Sequence, residues 1–197
     1  MSTPVLRGEF VDLQPLRPEH AALTLAWRQS PRAVNLNSGA GTLAEQAAWI
    51  AARPPSEHNF VIALKQGTTV GMLALCAIDT RHRHAESGRF LIGDEAAARG
   101  VPVAAEAMKL LYQFAFDELG LLRVHGAVAS DNSLMIKWQK FMGMQEEGRL
   151  RRHYFINGHF QDAVLFGILE DEFRRLALPR LNAMIAAGRV RPGPPCR

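Results

Sequence analysis

The sequence predicts a mixed α/β fold, with a mostly antiparallel central sheet, helices on both faces, and an anion-binding helix N-terminus at mid-sheet. Three observations lead there. The small-residue turn Ala98-Arg99-Gly100-Val101-Pro102-Val103-Ala104-Ala105 opens directly into a long amphipathic pattern. That junction lies inside a strand–helix–strand unit, and strand pairs joined by short turns flank the unit on both sides.

In chain order, residues 9–16 mix polar positions with Phe10, Val11, Leu13 and Leu16 and read as an opening strand. Pro18 suits a first helical position, and Leu23, Leu25 and Trp27 carry a helix to residue 29. The polar, glycine-bearing residues 30–41 read as a loop. Thr42 with Glu45 forms a capping box, and the helix it opens carries Leu43, Ala47, Trp49 and Ile50 to residue 53, where Pro54-Pro55 cannot continue it. Residues 59–65 and 68–78 are strands joined at Gln66-Gly67, residues 79–85 a polar loop, and residues 86–92 a short strand leading to the junction.

The helix predicted over 104–119 places Ala104, Met108, Leu111, Ala115 and Leu119 on one face and Glu106, Lys109, Gln113 and Asp117 on the other. Gly120 ends it as a left-handed cap. Residues 121–129 form a strand, Asn132 caps a helix over 133–142 with Leu134, Trp138 and Phe141 on one face, and Gly143 ends it. Residues 149–156 and 159–169 form a hairpin across Asn157-Gly158, because that pair favours the type I′ turn that matches strand twist. Residues 170–187 are helical with a kink at Pro179, and 189–197 are a Pro- and Arg-containing tail. The division expected is one domain over 1–170 and an appended helix and basic tail over 171–197.

A chain of 197 residues buries a core without covalent staples. Cys76 and Cys196 give neither a disulfide framework nor metal-ligand spacing and read as reduced thiols. The first residues lack the basic-then-apolar order of a secretory leader, and no apolar run approaches the ~18 residues of a membrane span. A soluble, cytoplasmic protein without a membrane partner is therefore expected. The net charge of +4 favours anionic ligands, but aromatic-basic interleaving is absent, so nucleic acid is not an expected partner. His82 and His84 have no third ligand nearby, which favours a solvated loop over a metal site.

At the junction, a helix N-terminus gathers unpaired amides and the positive end of the helix dipole. Gly100 and the alanines around it leave room for a phosphate to approach, although a tight turn before a packed helix is an equally good reading of the stretch alone.

With Asn132 downstream, this order of elements resembles the GNAT superfamily of acyl-CoA-dependent N-acyltransferases over about residues 7–170. The family opens its central helix with Arg/Gln-x-x-Gly-x-Gly/Ala, whose amides hold the coenzyme A pyrophosphate. Arg99-Gly100-Val101-Pro102-Val103-Ala104 matches at Arg99 and Ala104 and carries Pro102 at the usual glycine. Proline has no N–H to donate, but Gly100, Val101, Val103, Ala104 and Ala105 keep theirs. The resemblance implies that Asn132 contacts the pantetheine arm or ties the parted strands, although helix capping explains it as well. Many members place a tyrosine seven residues after that asparagine as the acid for the leaving thiolate; here the position is Gln139. The branch resembling ribosomal-protein N-terminal acetyltransferases often lacks that tyrosine, and its closing hairpin resembles residues 148–162.

The resemblance implies acetyl-CoA as acyl donor, no metal, and a primary amine as acceptor. A protein N-terminus or amino sugar leads, a small amine such as an antibiotic or polyamine follows, and the protein is a monomer or homodimer. It also implies a splay between strands 86–92 and 121–129 that admits the pantetheine, with a backbone N–H at Leu91 or its neighbour Ile92 polarising the thioester. Glu86 is the leading base for the amine proton, with an exposed strand-end carboxylate as the alternative, and His125 is next, against a hydrogen-bonded core imidazole. Tyr154 and Ser133 are candidate acids, against a packed hairpin aromatic and a first-turn helix residue. Arg149, Arg151 and Arg152 read as a solvated face before an acidic-acceptor or 3′-phosphate site. The competing function is a non-catalytic acyl-CoA-binding or regulatory relative, which Gln139 and Pro102 motivate.

Overall fold

The computed structural model describes residues 3–36 and 39–189, and its hairpin turns set the sheet. Gly67 (φ 96°) turns β3 (His58–Leu64) into β4 (Thr69–Asp79). Asn157 and Gly158 (φ 53° and 79°) turn β7 (Gln145–Ile156) into β8 (His159–Leu169), the left-handed pair that a type I′ turn needs. With β1 (Leu6–Arg7), β2 (Val11–Pro15), β5 (His84–Ile92) and β6 (Arg123–Ala129), these strands make one eight-stranded sheet in the order β1-β2-β3-β4-β5-β6-β8-β7. Every neighbouring pair is antiparallel except β5 and β6, which the strand–helix–strand unit makes parallel.

Successive residues of β4 feed two helical layers. Met72 packs with Trp27 of α1 (Ala21–Arg28), beside α2 (Leu43–Ala51). Leu73 and Leu75 join the larger core under α4 (Val103–Gln113), α7 (Leu178–Arg189) and the end of α5 (Ser133–Phe141). The capping box on α2 forms as the sequence predicts, with the Thr42 hydroxyl accepting from the Glu45 N–H. The short helices α3 (Glu95–Ala98) and α6 (Glu170–Glu172) complete the set. Asp94 caps α3, accepting from the Ala97 N–H at 2.9 Å, so a short helical turn leads into the junction.

Three expectations need correcting, two of them from helical periodicity. Glu106, placed on the outward face of the central helix, is 3 % exposed. Its carboxylate accepts from the N–H groups of Glu9, Phe10 and Val11 at 2.7, 2.6 and 2.8 Å, because the turn from β1 into β2 presents three amides that lack a strand partner. On α5, Leu134 and Phe141 are exposed and Trp138 half-buried, while Gln139 and Met142 are buried, so the core-facing side is rotated from the one predicted. The residues 9–16 strand is shorter, and the chain adds β1 before it.

The central helix runs through a π-helical turn at Phe114–Glu118 to Gly120, whose φ of 63° is the left-handed cap expected. A second π-helical turn at Phe173–Ala177 falls just ahead of Pro179, so the irregularity lies upstream of the proline, which sits in the first turn of α7. Leu181 and Ile185 of α7 are buried in the same core as α4, and full burial of such side chains contributes roughly 1.5–3 kcal/mol each. Gly188 meets the start of α4 so closely that a Cβ there would lie 2.7 Å from Cδ of Pro102. Of the predicted tail, 190–197 with Cys196 lie outside the described residues. No helix among the described residues is long and apolar enough to cross a membrane.

Glu106→Ala leaves three amides at the β1–β2 turn without an acceptor, two of them partly and one fully buried. At ~1–3 kcal/mol for each unsatisfied buried group, unfolding free energy should fall by roughly 3 kcal/mol, read as a lower urea midpoint with unchanged slope. A loss below ~1 kcal/mol would show that the carboxylate does not hold the turn.

Candidate active site

β5 and β6 pair at His84↔Arg123, Ala85↔Val124 and Glu86↔His125 and then part. Beyond that point β5 stays with β4, and β6 stays with β8. The register of β4 and β5 jumps from Ala74↔Gly88 to Met72↔Leu91, so Arg89 and Phe90 together oppose Leu73, and Arg89 takes a φ of 57°. A bulge bends the strand that carries it, and this one lies in the stretch that has left β6.

The gap opens into a cleft of about 1120 Å³, lined by both helical layers. Val103, Ala104 and Met108 of α4 and Met135, Trp138 and Gln139 of α5 come from one layer; Arg28 of α1 and Gln46 and Trp49 of α2 come from the other. The cleft therefore passes through the sheet, and its two mouths open on opposite faces.

One mouth lies at the start of α4. Arg99, Val101, Val103 and Ala104 border it, while Gly100 is exposed in the turn before it and Ala105 is 1 % exposed beneath it, so neither of these lines it. Gly100 has a φ of 81°, the left-handed conformation that costs glycine nothing. Ala104 and Ala105 stand in the first helical turn, whose amides have no acceptor within the helix, and Pro102 at the cap position has no N–H. The Val101 and Val103 amides, expected to face a phosphate, instead donate to the carbonyls of Ala98 and Val101 at 3.1 and 2.8 Å because the turn before the helix closes on itself; small side chains, the Ala104 and Ala105 amides and the Arg99 guanidinium suit a pyrophosphate. Deeper in, Trp138 Nε1 and Gln139 Oε1 are buried without a hydrogen-bond partner among the described residues. A donor and an acceptor in an otherwise apolar wall match the amide groups of a pantetheine arm. The residues present thus fit coenzyme A.

Of the two strand positions predicted to offer a backbone N–H, the structure separates the roles. The Leu91 carbonyl faces β4, where a Cβ on Gly71 would come within 2.5 Å of it. The Ile92 carbonyl accepts from Arg32 Nε at 2.9 Å and so faces away from β4; in an antiparallel strand the N–H of a residue shares the edge of its carbonyl. Ile92 presents its backbone edge on the open side. Asn132 borders the cleft and caps α5, its side-chain oxygen accepting from the Met135 N–H at 3.2 Å.

Among the four acid–base candidates, the fold brings Glu86 and Tyr154 to the cleft and leaves His125 and Ser133 off its walls. Burial, and then the charge of Glu86, push the Tyr154 hydroxyl above its ordinary value. His125 stands at the closed end of the splay beside His84, with ring centroids 5.4 Å apart; burial and then Arg123 hold its imidazole below the usual value. Ser133 is exposed at the first position of α5. Arg149, Arg151 and Arg152 are exposed, and Arg149 pairs with Asp162 at 3.4 Å. Cys76 borders the cleft with its thiol pushed up to about 11 by burial, which leaves it inert as a nucleophile. No group of three His, Cys, Asp or Glu side chains among the described residues is placed to hold a metal ion.

Sequence reasoning missed the charged wall behind Glu86. Arg89, thrown across β4 by the bulge, donates to both Glu57 oxygens at 2.7 and 3.1 Å and to Asn59 Oδ1 at 2.7 Å. Its guanidinium lies 5.2 Å from the Trp49 ring centroid, and Arg53 lies 4.1 Å over the same ring. Burial alone would raise the Glu57 carboxyl, but the hydrogen bonds from Arg89 and Asn59 outweigh it and hold it low. No local spacing signals this network, because its members come from β3, β5 and α2 and their connecting loop.

The model of the Acetyltransferase (GNAT) domain matches residues 11–145, and the chain belongs to this family. A spermidine N(1)-acetyltransferase of Escherichia coli K12 is 30% identical over 118 residues, covering 60% of this chain and 61% of its own length. A Bacillus subtilis protein, YdaF, named provisionally as a ribosomal N-acetyltransferase, is 33% identical over 110 residues, covering 56% of this chain and 58% of its own length. The chain thus spans about three fifths of the length of the curated relatives it matches. The crystal structure of a Vibrio cholerae spermidine N-acetyltransferase in complex with CoA and spermine superimposes with a TM-score of 0.75 at 21% identity, covering 85% of this chain and 99% of that one.

The depressed His125 carries a stability prediction. Its folded-state affinity for protons is below that of the unfolded chain, so the unfolded state binds more protons as pH falls through about 6.5 and stability declines there. His125→Gln should flatten the loss of melting temperature between about pH 7 and 5 relative to the parent. Parallel curves would mean that the imidazole titrates alike in both states.

Proposed function

We propose that the chain transfers the acetyl group of acetyl-CoA to a primary amine by direct attack in a ternary complex. One observation carries this reading: the cleft is lined from both faces of the sheet, with the amide-bearing start of α4 at one end and the Glu86 carboxylate at the other. Two substrates entering from opposite mouths meet at the parting of β5 and β6, and holding them together supplies much of the rate.

In that arrangement the backbone N–H of Ile92 stabilises the charge on the thioester oxygen. Glu86 accepts the amine proton, so the nitrogen lone pair is free to bond to the carbonyl carbon. The carbon–sulfur bond then breaks, and the thiolate takes a proton from the Tyr154 hydroxyl, which recovers it from solvent. Burial beside Glu86 keeps that hydroxyl protonated until it is needed. Family membership supports acetyl-CoA as the donor. Relatives named for spermidine and for ribosomal acceptors support keeping a polyamine and a protein N-terminus among the acceptors that the sequence suggests, beside an amino sugar.

The first test is a thermal melt with and without acetyl-CoA. At a hundredfold excess over the dissociation constant the ligand adds ~2.7 kcal/mol, which raises the midpoint by roughly 5–10 °C at this chain length. Ala104→Glu should abolish most of that shift, whereas Glu86→Gln should keep the shift and lower thiol release with an amine by about 10²-fold or more. No shift at millimolar acetyl-CoA overturns the coenzyme site. A full shift with no thiol release from any amine favours the second reading, a non-catalytic coenzyme-binding protein, which the hydroxyl-free Gln139 supports.

A further inference from the structure

We infer that Glu57 and Asn59 are positioning residues for acetyl transfer, clamping Arg89 so that the bulge of β5 keeps the Ile92 N–H turned to the open side of the cleft. The role rests on the acetyl-transfer reading above and deepens it. Glu57, Asn59 and Arg89 act through the backbone of β5, without touching the reacting atoms.

The bulge decides what β5 shows to the cleft. Cys76, Ala74 and Met72 alternate down one face of β4 and pair with Glu86, Gly88 and Leu91. Glu86 and Leu91 are an odd step apart, which regular alternation would place on opposite faces, yet through the extra residue both share the face of Met72. A strand without that residue would turn Leu91 away from Trp27 and turn the Ile92 N–H from the open edge toward β4.

Holding the extra residue requires Arg89 at a φ of 57°, which glycine adopts freely and other residues only at a cost. The clamp offsets that cost. Ala74 lies between Gly88 and Asn59 in the ladder, so a small side chain stands where Arg89 crosses β4. Beyond it, both Glu57 oxygens accept from the guanidinium at 2.7 and 3.1 Å, Asn59 Oδ1 accepts at 2.7 Å, and Asn59 Nδ2 donates to Glu57 at 3.1 Å, closing a ring. The Glu57 side chain is 12 % exposed and that of Arg89 23 %, so these charge-assisted bonds are little screened. Arg53, 3.5 Å from the same carboxylate, leaves Glu57 partnered when Arg89 is removed.

The experiment compares full-chain variants by thiol release at saturating acetyl-CoA, using the best amine among spermidine, an amino sugar and a short peptide with a free N-terminus. Arg89→Ala removes the clamp and leaves a residue that resists the bulge conformation, whereas Arg89→Gly removes the clamp and the resistance together. Arg89→Ala should lower kcat about tenfold, with KM for the amine changed less, and kcat of Arg89→Gly should exceed that of Arg89→Ala by about fivefold or more. Glu57→Gln should lower kcat about fivefold in the parent and less than about twofold in the Arg89→Gly background, where nothing is left to clamp. Equal kcat for Arg89→Ala and Arg89→Gly would mean that Arg89 acts by its charge or its packing and would overturn the inference, while leaving acetyl transfer in place. An equal cost of Glu57→Gln in both backgrounds does the same, and this comparison decides alone if Arg89→Ala does not fold. Turnover of no amine by the parent, with the coenzyme bound, overturns the acetyl-transfer reading and this role with it.

Discussion

The parting of β5 from β6 after three paired residues is the constraint on which the rest of the molecule depends. A sheet is normally continuous because an unpaired strand edge leaves amides and carbonyls without partners. Here each strand keeps its other neighbour, β4 for β5 and β8 for β6, so the exposed edges are one-sided and the sheet survives the gap. The bulge at Arg89 and Phe90 bends β5 and at the same time carries the Arg89 side chain over β4 to Glu57 and Asn59. One inserted residue thus shapes the cleft and charges its wall. The non-glycine φ of 57° at Arg89 costs free energy, and the bidentate contact to Glu57 offsets it.

The two layers of helices assign different work to the two ends of the cleft. On one face, the start of α4 supplies backbone amides, a source of positive potential that no side-chain substitution removes outright. On the other, α1 and α2 present side chains, so the character of that wall is set by residue identity at Arg28, Gln46 and Trp49. The backbone-built end suits a ligand common to a whole family, and the side-chain-built end suits one that differs from member to member.

Much of the fold was legible in the sequence because its signals are local. Thr42 with Glu45, Asn157-Gly158 and Gly120 each fix a turn or cap through nearest neighbours, and each behaves as those neighbours require. The order of elements placed Glu86, Tyr154, Ala104 and Asn132, which the fold brings to one cleft. What was not legible depends on partners far along the chain. Glu106 looked like a solvent-facing helix residue because its ligands are about a hundred residues away, at Glu9 to Val11. The charged wall stayed hidden for the same reason, since Arg89 and Glu57 are 32 residues apart and meet only because a bulge redirects one of them. Helical periodicity also misjudged α5, whose burial is set by α4 and α7 lying against its end: Tyr112 donates toward Met144 Sδ at 3.7 Å, and Arg180 donates to the Phe141 carbonyl at 2.6 Å.

The close approach of Gly188 to Pro102 has a consequence for the order in which the molecule assembles. During synthesis, the strand–helix–strand unit around α4 leaves the ribosome long before α7 exists. Until residues 181–185 arrive, the outer side of α4 lacks part of the core that Leu181 and Ile185 supply. Contacts so distant in sequence form late, because the entropy of closing the long loop must be met before they contribute anything. The helix start proposed to face the coenzyme is therefore secured near the end of folding, and a ligand that binds there would favour the final docking of α7.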